Sequence, residues 1–136
     1  MAIPEDMKEH NRQLIEEFRA AGGKLEGRPL LLLTTTGARS GEPHTAPMMF
    51  IPDEDRLLVI ASNAGAPAHP DWYYNLVANP NVTVEVAGET YEATAMPLEG
   101  EERDRVFAHV TELYPFFREH QERVGRMIPV VALVRR

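Results

Sequence analysis

The sequence predicts a mainly β, α+β domain in which about six short antiparallel strands form a closed or nearly closed barrel with flanking helices. Three observations carry this. Val82, Val84 and Val86 alternate with Thr83 and Glu85, and Tyr91, Ala93 and Ala95 alternate with Glu92 and Thr94, the period of half-buried strands. Tight turn signals at Asp53-Glu54-Asp55 and at Gly88 separate successive strand-like runs. The remaining apolar runs are also short, and short strands joined by tight turns favour closure, which removes exposed sheet edges.

The elements follow in order. Residues 5–21 read as an amphipathic helix, with Met7, Leu14, Ile15 and Phe18 on one face and Gly22-Gly23 ending it. Its polar face is mostly acidic, which favours packing on the protein body over resting on a membrane surface. Pro29–Thr36, Thr45–Ile51 and Arg56–Ala61 are the next strands, with the Asp53–Asp55 turn before the last. Pro70–Ala78 is a short helix with proline in its first turn and Asn79-Pro80 at its end. After the two alternating strands, Glu99–Leu113 has an acidic first turn and an apolar stripe of Val106, Phe107, Val110 and Leu113. Pro115 breaks that helix, a second piece runs to about Val124, and Ile128–Val134 is the sixth strand. The expected division is an N-terminal helix over 1–24 and a barrel over 25–136, together one domain.

Bulk composition narrows the function. The chain has 136 residues, 43% of them apolar, enough for one real core. It has no cysteine, so disulfides, zinc thiolates and thiol nucleophiles are excluded, and a reducing, cytoplasmic setting is expected, with peripheral membrane contact as the alternative. The first residues lack a signal-peptide pattern, and Leu30–Leu33 is far too short to span a bilayer. A net charge of −7 argues against nucleic acid. Residues 19–44, however, carry Arg19, Lys24, Arg28 and Arg39 against only Glu26 and Glu42, which suits a small anionic ligand.

Three segments could carry chemistry. In the first, a strand ends in Thr34-Thr35-Thr36 and enters Gly37-Ala38-Arg39-Ser40-Gly41. Glycines let backbone N–H groups approach an anion, and Arg39 and Ser40 add donors. Neither a Walker loop nor a dinucleotide fingerprint is present. Local chemistry leaves two readings open, an anion grip and a plain hairpin turn with a solvated arginine. The second segment, Ala61 to Asn75, follows a strand and opens a helix. Its small residues leave room for a flat ring, and Ser62 and Asn63 can bond ring heteroatoms, while Trp72 and Tyr73 suit ordinary core packing. The third, Tyr114-Pro115-Phe116-Phe117 with His120, could wall an apolar pocket or fill the barrel mouth. No histidine pair has metal-ligand spacing and no G-x-S-x-G elbow is present, so neither a metal site nor a hydrolase triad is expected.

Together these segments resemble the deazaflavin-dependent nitroreductase family, split β-barrel proteins that use coenzyme F420. The matching residues are Leu33 to Gly41, Pro47, Ala61 to Ala66, Pro70, Trp72-Tyr73, Asn75-Leu76, Ala78-Asn79-Pro80, Val82, Tyr114-Pro115 and Ile128-Pro129-Val130, spanning about residues 28–134. The resemblance implies a split barrel and hydride transfer from a reduced deazaflavin to a quinone, a nitroaromatic or an activated enone or lactone. It assigns the cofactor's anionic tail to Thr36, Gly37, Arg39, Ser40 and Gly41. It assigns the ring to Pro47, Met48, Ala61, Ser62, Asn63, Ala64, Gly65 and Ala66, with Trp72 and Asn75 beside them. Tyr114 and Ser62 take the catalytic hydrogen-bonding roles, and Met49, Tyr114, Phe117 and His120 the acceptor pocket. Met49, Phe117 and His120 stand where better-studied members carry tyrosines, Asn63 where a lysine is common, and Ala38 where a basic residue is frequent. Arg39, with Arg28 or Lys24, then carries more of the phosphate grip. FMN in the same architecture, or a non-catalytic carrier of deazaflavin or fatty acid, are the rivals. The expected assembly is a monomer or homodimer acting on a small molecule.

Overall fold

The computed structural model describes residues 5–23 and 29–136, and the side chains within those spans other than residues 5–8 and 64. Its elements are α1 (Glu5–Ala20), β1 (Leu30–Thr36), β2 (Pro43–Met49), β3 (Ile51–Asp53), β4 (Arg56–Ile60), a 3-10 turn (Asn63–Gly65), α2 (Asp71–Ala78), β5 (Asn81–Val86), β6 (Glu89–Pro97), α3 (Gly100–Leu113), α4 (Phe116–Arg123) and β7 (Val130–Arg135). The strands make one antiparallel sheet in the order β2-β1-β5-β6-β7-β4-β3.

That order differs from the sequence expectation in one instructive way. The run Thr45–Ile51 is not one strand. Its first part pairs with β1 (Leu31 opposite Met48), while Ile51 lies opposite Leu58 of β4, at the other edge of the sheet. Phe50 alone links the two, its N–H donating to Pro29 O at 3.0 Å. One residue can join opposite edges only if the sheet curls until those edges meet. The result is the split-barrel architecture, with seven strands where six were expected. The Glu54-Asp55 turn lies between β3 and β4, and an Asp53–Arg56 ion pair of 2.7 Å spans it.

The core has two parts. Leu31, Leu33, Val59, Leu76, Val84, Ala93, Ala95, Val131 and Leu133 fill the interior, with Met48, Trp72 and Tyr73 packed against them. Val130, Ala132 and Leu58 face the other way, onto Phe107, Val110 and Phe117 of α3 and α4. The central part of β7 is therefore buried on both faces, which explains its unbroken apolar run. The stripe expected on α3 is shifted. Leu113 is 51% exposed, while Arg103 and Thr111 are buried.

α1 packs against β2, with Phe18 fully buried and Leu14 and Ile15 half-buried. Arg19 donates two hydrogen bonds to Glu85 of β5, at 3.1 and 2.9 Å. The apolar face of the helix is thus spent on the protein body. Met7's place in that face, the boundary expected near residue 24, and Lys24 and Arg28 lie outside the described residues or side chains. No described helix is long and apolar enough to cross a membrane.

Candidate active site

Topology brings the three motif segments to one rim. Neighbouring strands from β1 through β5, β6 and β7 to β4 are all antiparallel, so β1 and β4 run the same way. The turn after β1 and the loop after β4 therefore leave the sheet at the same end. β7 begins there too, with Val130 opposite Ile60.

The turn at Gly37–Gly41 is built by its own backbone. Gly37 N–H donates to Glu42 O at 2.8 Å, and Gly41 N–H to Gly37 O at 3.0 Å. Gly41 sits at φ +73°, where glycine carries no Cβ penalty. Arg39 and Ser40 are exposed at the tip. Ser40 Oγ accepts the Glu42 N–H at 3.1 Å and lies 3.3 Å from His44 Nε2. Asn75, 9% exposed on α2, fixes this turn to the body. Its Oδ1 accepts the Ala38 N–H at 3.0 Å, and its Nδ2 donates to the buried Thr35 Oγ1 at 3.1 Å. Asn75, expected beside the ring, therefore has both ends of its amide engaged, one with the turn at Ala38 and one with Thr35 of β1.

The second segment leaves β4 at Ala61, whose N–H donates to Pro129 O at 3.0 Å. Ser62 is 6% exposed. Asn63 lies at φ +53°, a left-handed conformation that asparagine tolerates, and its Nδ2 donates to Ala68 O at 2.9 Å. Gly65, at φ +81°, faces α4: a Cβ there would lie 2.9 Å from Arg123 Nη2 and 3.4 Å from His120 Cδ2. The small residue expected to admit a ring is thus the point where the loop meets the aromatic helix.

Tyr114, at the end of α3, clusters with Phe117 and His120 of that helix, with ring centroids 6.4 Å apart for Tyr114–Phe117 and 6.1 Å for Phe117–His120. Phe117 is 5% exposed and belongs mainly to the core, whereas Tyr114 and His120 are half-buried. Burial, and then Arg123, hold the His120 imidazole below its ordinary pKa, with Glu119 opposing. His120 Nδ1 is buried with no hydrogen-bond partner among the described residues.

Other expected residues are separated by the pleat. Met48 packs on the interior, so strand alternation turns Pro47 and Met49 to the opposite face of β2. Trp72 also packs on the interior core. The most connected polar side chain at this rim, Arg126, is one that motif reading missed. It donates to the carbonyls of Ala61, Ser62, Ala66 and Ala68 and contacts His69 Nδ1. A single arginine in a polar stretch carries no periodic signal. Its only sequence cue is its place just before Ile128-Pro129-Val130.

A profile of the F420H(2)-dependent quinone reductase family matches residues 7–135. The chain belongs to the F420H(2)-dependent quinone reductase family. An F420H(2)-dependent quinone reductase of Mycobacterium tuberculosis is 37% identical over 127 residues, covering 88% of this chain and 85% of that relative. A solved F420-H2 dependent reductase is 40% identical with a TM-score of 0.70, covering 78% of this chain and 94% of that one. A structure described as a domain-swapped dimer is 36% identical with a TM-score of 0.73, covering 93% and 96%. Members of this family are oxidoreductases, and their cofactor is coenzyme F420. The residues at the rim fit such a group. Gly65, having no Cβ, lets Arg123 and His120 approach the small-residue loop closely, and Arg39, Arg123 and Arg126 put cationic groups on the turn and around that loop. Cationic groups beside a small-residue cradle suit an anionic cofactor with a flat head.

Proposed function

We propose that this chain is a reductase that takes hydride from reduced coenzyme F420 and passes it to a quinone. The observation that carries the reading is convergence. Asn75 ties the anion turn to α2, and Gly65 of the small-residue loop lies against His120 and Arg123, so three segments far apart in sequence share one rim.

When bound, the reduced deazaflavin supplies a hydride equivalent. The protein's own part is to bind, orient and polarise. Arg39 and Ser40, with the backbone of Thr36, Gly37 and Gly41, hold the anionic tail. The backbone and side chains of Ala61 to Ala66 receive the ring, and Pro47, on the face of β2 opposite the core-packed Met48, bounds it. Tyr114, His120, Met49 and the Phe117 edge surround the acceptor. Hydride addition to a quinone leaves negative charge on a carbonyl oxygen. The Tyr114 hydroxyl donates a hydrogen bond to that oxygen, Ser62 supports it, and a proton from Tyr114, His120 or water completes the quinol. A half-buried imidazole held neutral, beside an apolar ring cluster, favours a flat apolar acceptor such as a quinone over a polar one. The cysteine-free chain suits a reducing cytoplasm, and the similar domain-swapped structure makes a homodimer the assembly to test first.

The test is a fluorescence titration with oxidised F420, then stopped-time assays of reduced F420 against quinone, nitroaromatic and enone panels. Micromolar binding with quinone turnover exceeding the others supports the reading. Preferential binding of FMN, or binding without any turnover, overturns it in favour of a flavin enzyme or a carrier.

A further inference from the structure

Arg126 lies between α4 and β7, half-buried, and reaches across to the loop after β4. One terminal nitrogen, Nη1, donates to Ala61 O at 3.1 Å and sits 2.9 Å from His69 Nδ1. The other, Nη2, donates to Ser62 O, Ala66 O and Ala68 O at 2.9, 3.2 and 3.1 Å. Its partners are thus four carbonyls and an imidazole rather than a carboxylate. Carbonyl dipoles engage the two terminal nitrogens without cancelling the charge. Burial pulls the guanidinium below its ordinary pKa, with Tyr74 opposing, and its Nε is buried with no partner among the described residues. An arrangement so costly in desolvation needs a return, since a buried cation is expensive unless its geometry is well met.

The base of the side chain is anchored with equal care. Gln121 Nε2 donates to Arg126 O at 2.6 Å, and Gln121 Oε1 accepts the Ile128 N–H at 2.9 Å and Arg103 Nη2 at 3.0 Å. Arg103, buried on α3, also donates to Ile128 O from Nε at 3.1 Å. Helices α3 and α4 therefore fix the backbone from which Arg126 projects.

We propose that Arg126 is a positioning residue for the cofactor: its guanidinium clamps the carbonyls of residues 61–68 and so holds the loop in the shape that receives the deazaflavin ring. This rests on the reading of that loop as the ring site. Lysine cannot replace it. An ammonium is a point donor and cannot span carbonyls on two sides as a planar five-donor fork does. The contact also sets the state of His69. Nδ1 must accept, so the imidazole is neutral with its proton on Nε2. The groups that face it are Arg126 from the α4–β7 segment and Tyr73 and Tyr74 from α2, with ring centroids at 4.7 and 5.5 Å. Burial and then Arg126 hold the His69 pKa below its ordinary value. Protonation would place two cations in contact and release the clamp, so loop order falls as pH drops through the His69 midpoint.

The experiment compares wild type, Arg126→Lys and Arg126→Gln as full chains. In cofactor-free protein the Gly65 and Ala66 amides, which donate to Ser62 O and Asn63 O, report loop order by hydrogen exchange. Both variants should exchange there about tenfold faster or more, and bind oxidised F420 about tenfold more weakly by fluorescence. The His69 imidazole, followed by NMR, should titrate at higher pH in Arg126→Gln, because the neighbouring cation is gone. Exchange and titration unchanged in a folded Arg126→Gln variant would overturn the clamp. If that variant does not fold, Arg126→Lys with wild-type exchange and affinity overturns it equally. Failure of the wild type to bind F420 would instead sink the functional reading, leaving exchange and titration as independent tests of the clamp.

Discussion

Replacing Asn75 with alanine tests the link between fold and site most sharply. The substitution removes two hydrogen bonds, one from the Ala38 N–H and one to the buried Thr35 hydroxyl. At about 1 kcal/mol net for each, the cost is about 2 kcal/mol. Unfolding entropy near 60 °C is about 2.1 cal/mol/K per residue, or about 0.29 kcal/mol/K for 136 residues. Dividing one by the other gives a fall in Tm of about 7 °C. The second effect is local: the turn at Ala38–Gly41 loses its tie to α2, and F420 affinity should drop about tenfold. Thr35→Val is the control. It removes only the deeper bond, costs about 1 kcal/mol, lowers Tm by about 3–4 °C, and leaves the Ala38 contact and cofactor affinity in place. Calorimetry and F420 fluorescence titration measure the two effects separately. An Asn75→Ala variant with wild-type Tm and affinity would refute the role assigned to that amide.

Other predictions are independent of Asn75. Arg39 is exposed at the turn tip, so Arg39→Ala should weaken F420 binding about tenfold while Tm stays close to wild type, a pairing that calorimetry and titration can deny. Tyr114→Phe should lower kcat with a quinone about a hundredfold with little change in KM, and unchanged turnover would remove Tyr114 from the chemistry. His120 is held below its ordinary pKa of 6.5 in the folded chain, so the unfolded chain takes up a proton first. Stability is then complete above pH 6.5 and is lost as pH falls through and below that value. His120→Phe should flatten part of this decline in Tm between neutral and acidic pH, and an unchanged slope would show that His120 does not contribute.

Much of the architecture was legible because it is local. The alternation of Val82, Val84 and Val86 marks β5, and Ala87-Gly88, both at positive φ, supplies the tight turn into β6. Pro70 and Asn79-Pro80 bracket α2 closely. What failed was long-range. Nothing within Thr45–Ile51 says that Phe50 passes the chain from one sheet edge to the other, because that break exists only once the sheet has curled. The stripe on α3 was misread at Leu113, which is exposed, and did not include the buried Arg103, because burial there depends on what α4 and the 124–129 segment cover. Arg103 is buried because Ile128 O and Gln121 satisfy its guanidinium, a partnership invisible in sequence. Of the segments proposed for the site, the Gly37–Gly41 turn and the loop after β4 were readable as local structure from glycine and alanine placement. Arg126 was not, since charged residues are ordinarily exposed and its partners are backbone carbonyls that any sequence could supply.

The pleat sharpens the site reading in a similar way. Adjacent residues Pro47 and Met48 were both assigned to the ring, yet strand alternation sends Met48 into the core and Pro47 to the opposite face. Phe117 and Trp72 are likewise held by core contacts, which makes Tyr114 and His120 the more adaptable members of the aromatic group.

The central claim, that the chain reduces a quinone with reduced F420, is met most directly by one assay. Purified protein is mixed with reduced F420, and the return of oxidised-cofactor fluorescence is followed on adding a quinone. The account predicts saturable, protein-dependent reoxidation, diminished in Arg39→Ala. Reoxidation no faster than in protein-free solution, with F420 failing to bind at micromolar protein, would contradict it.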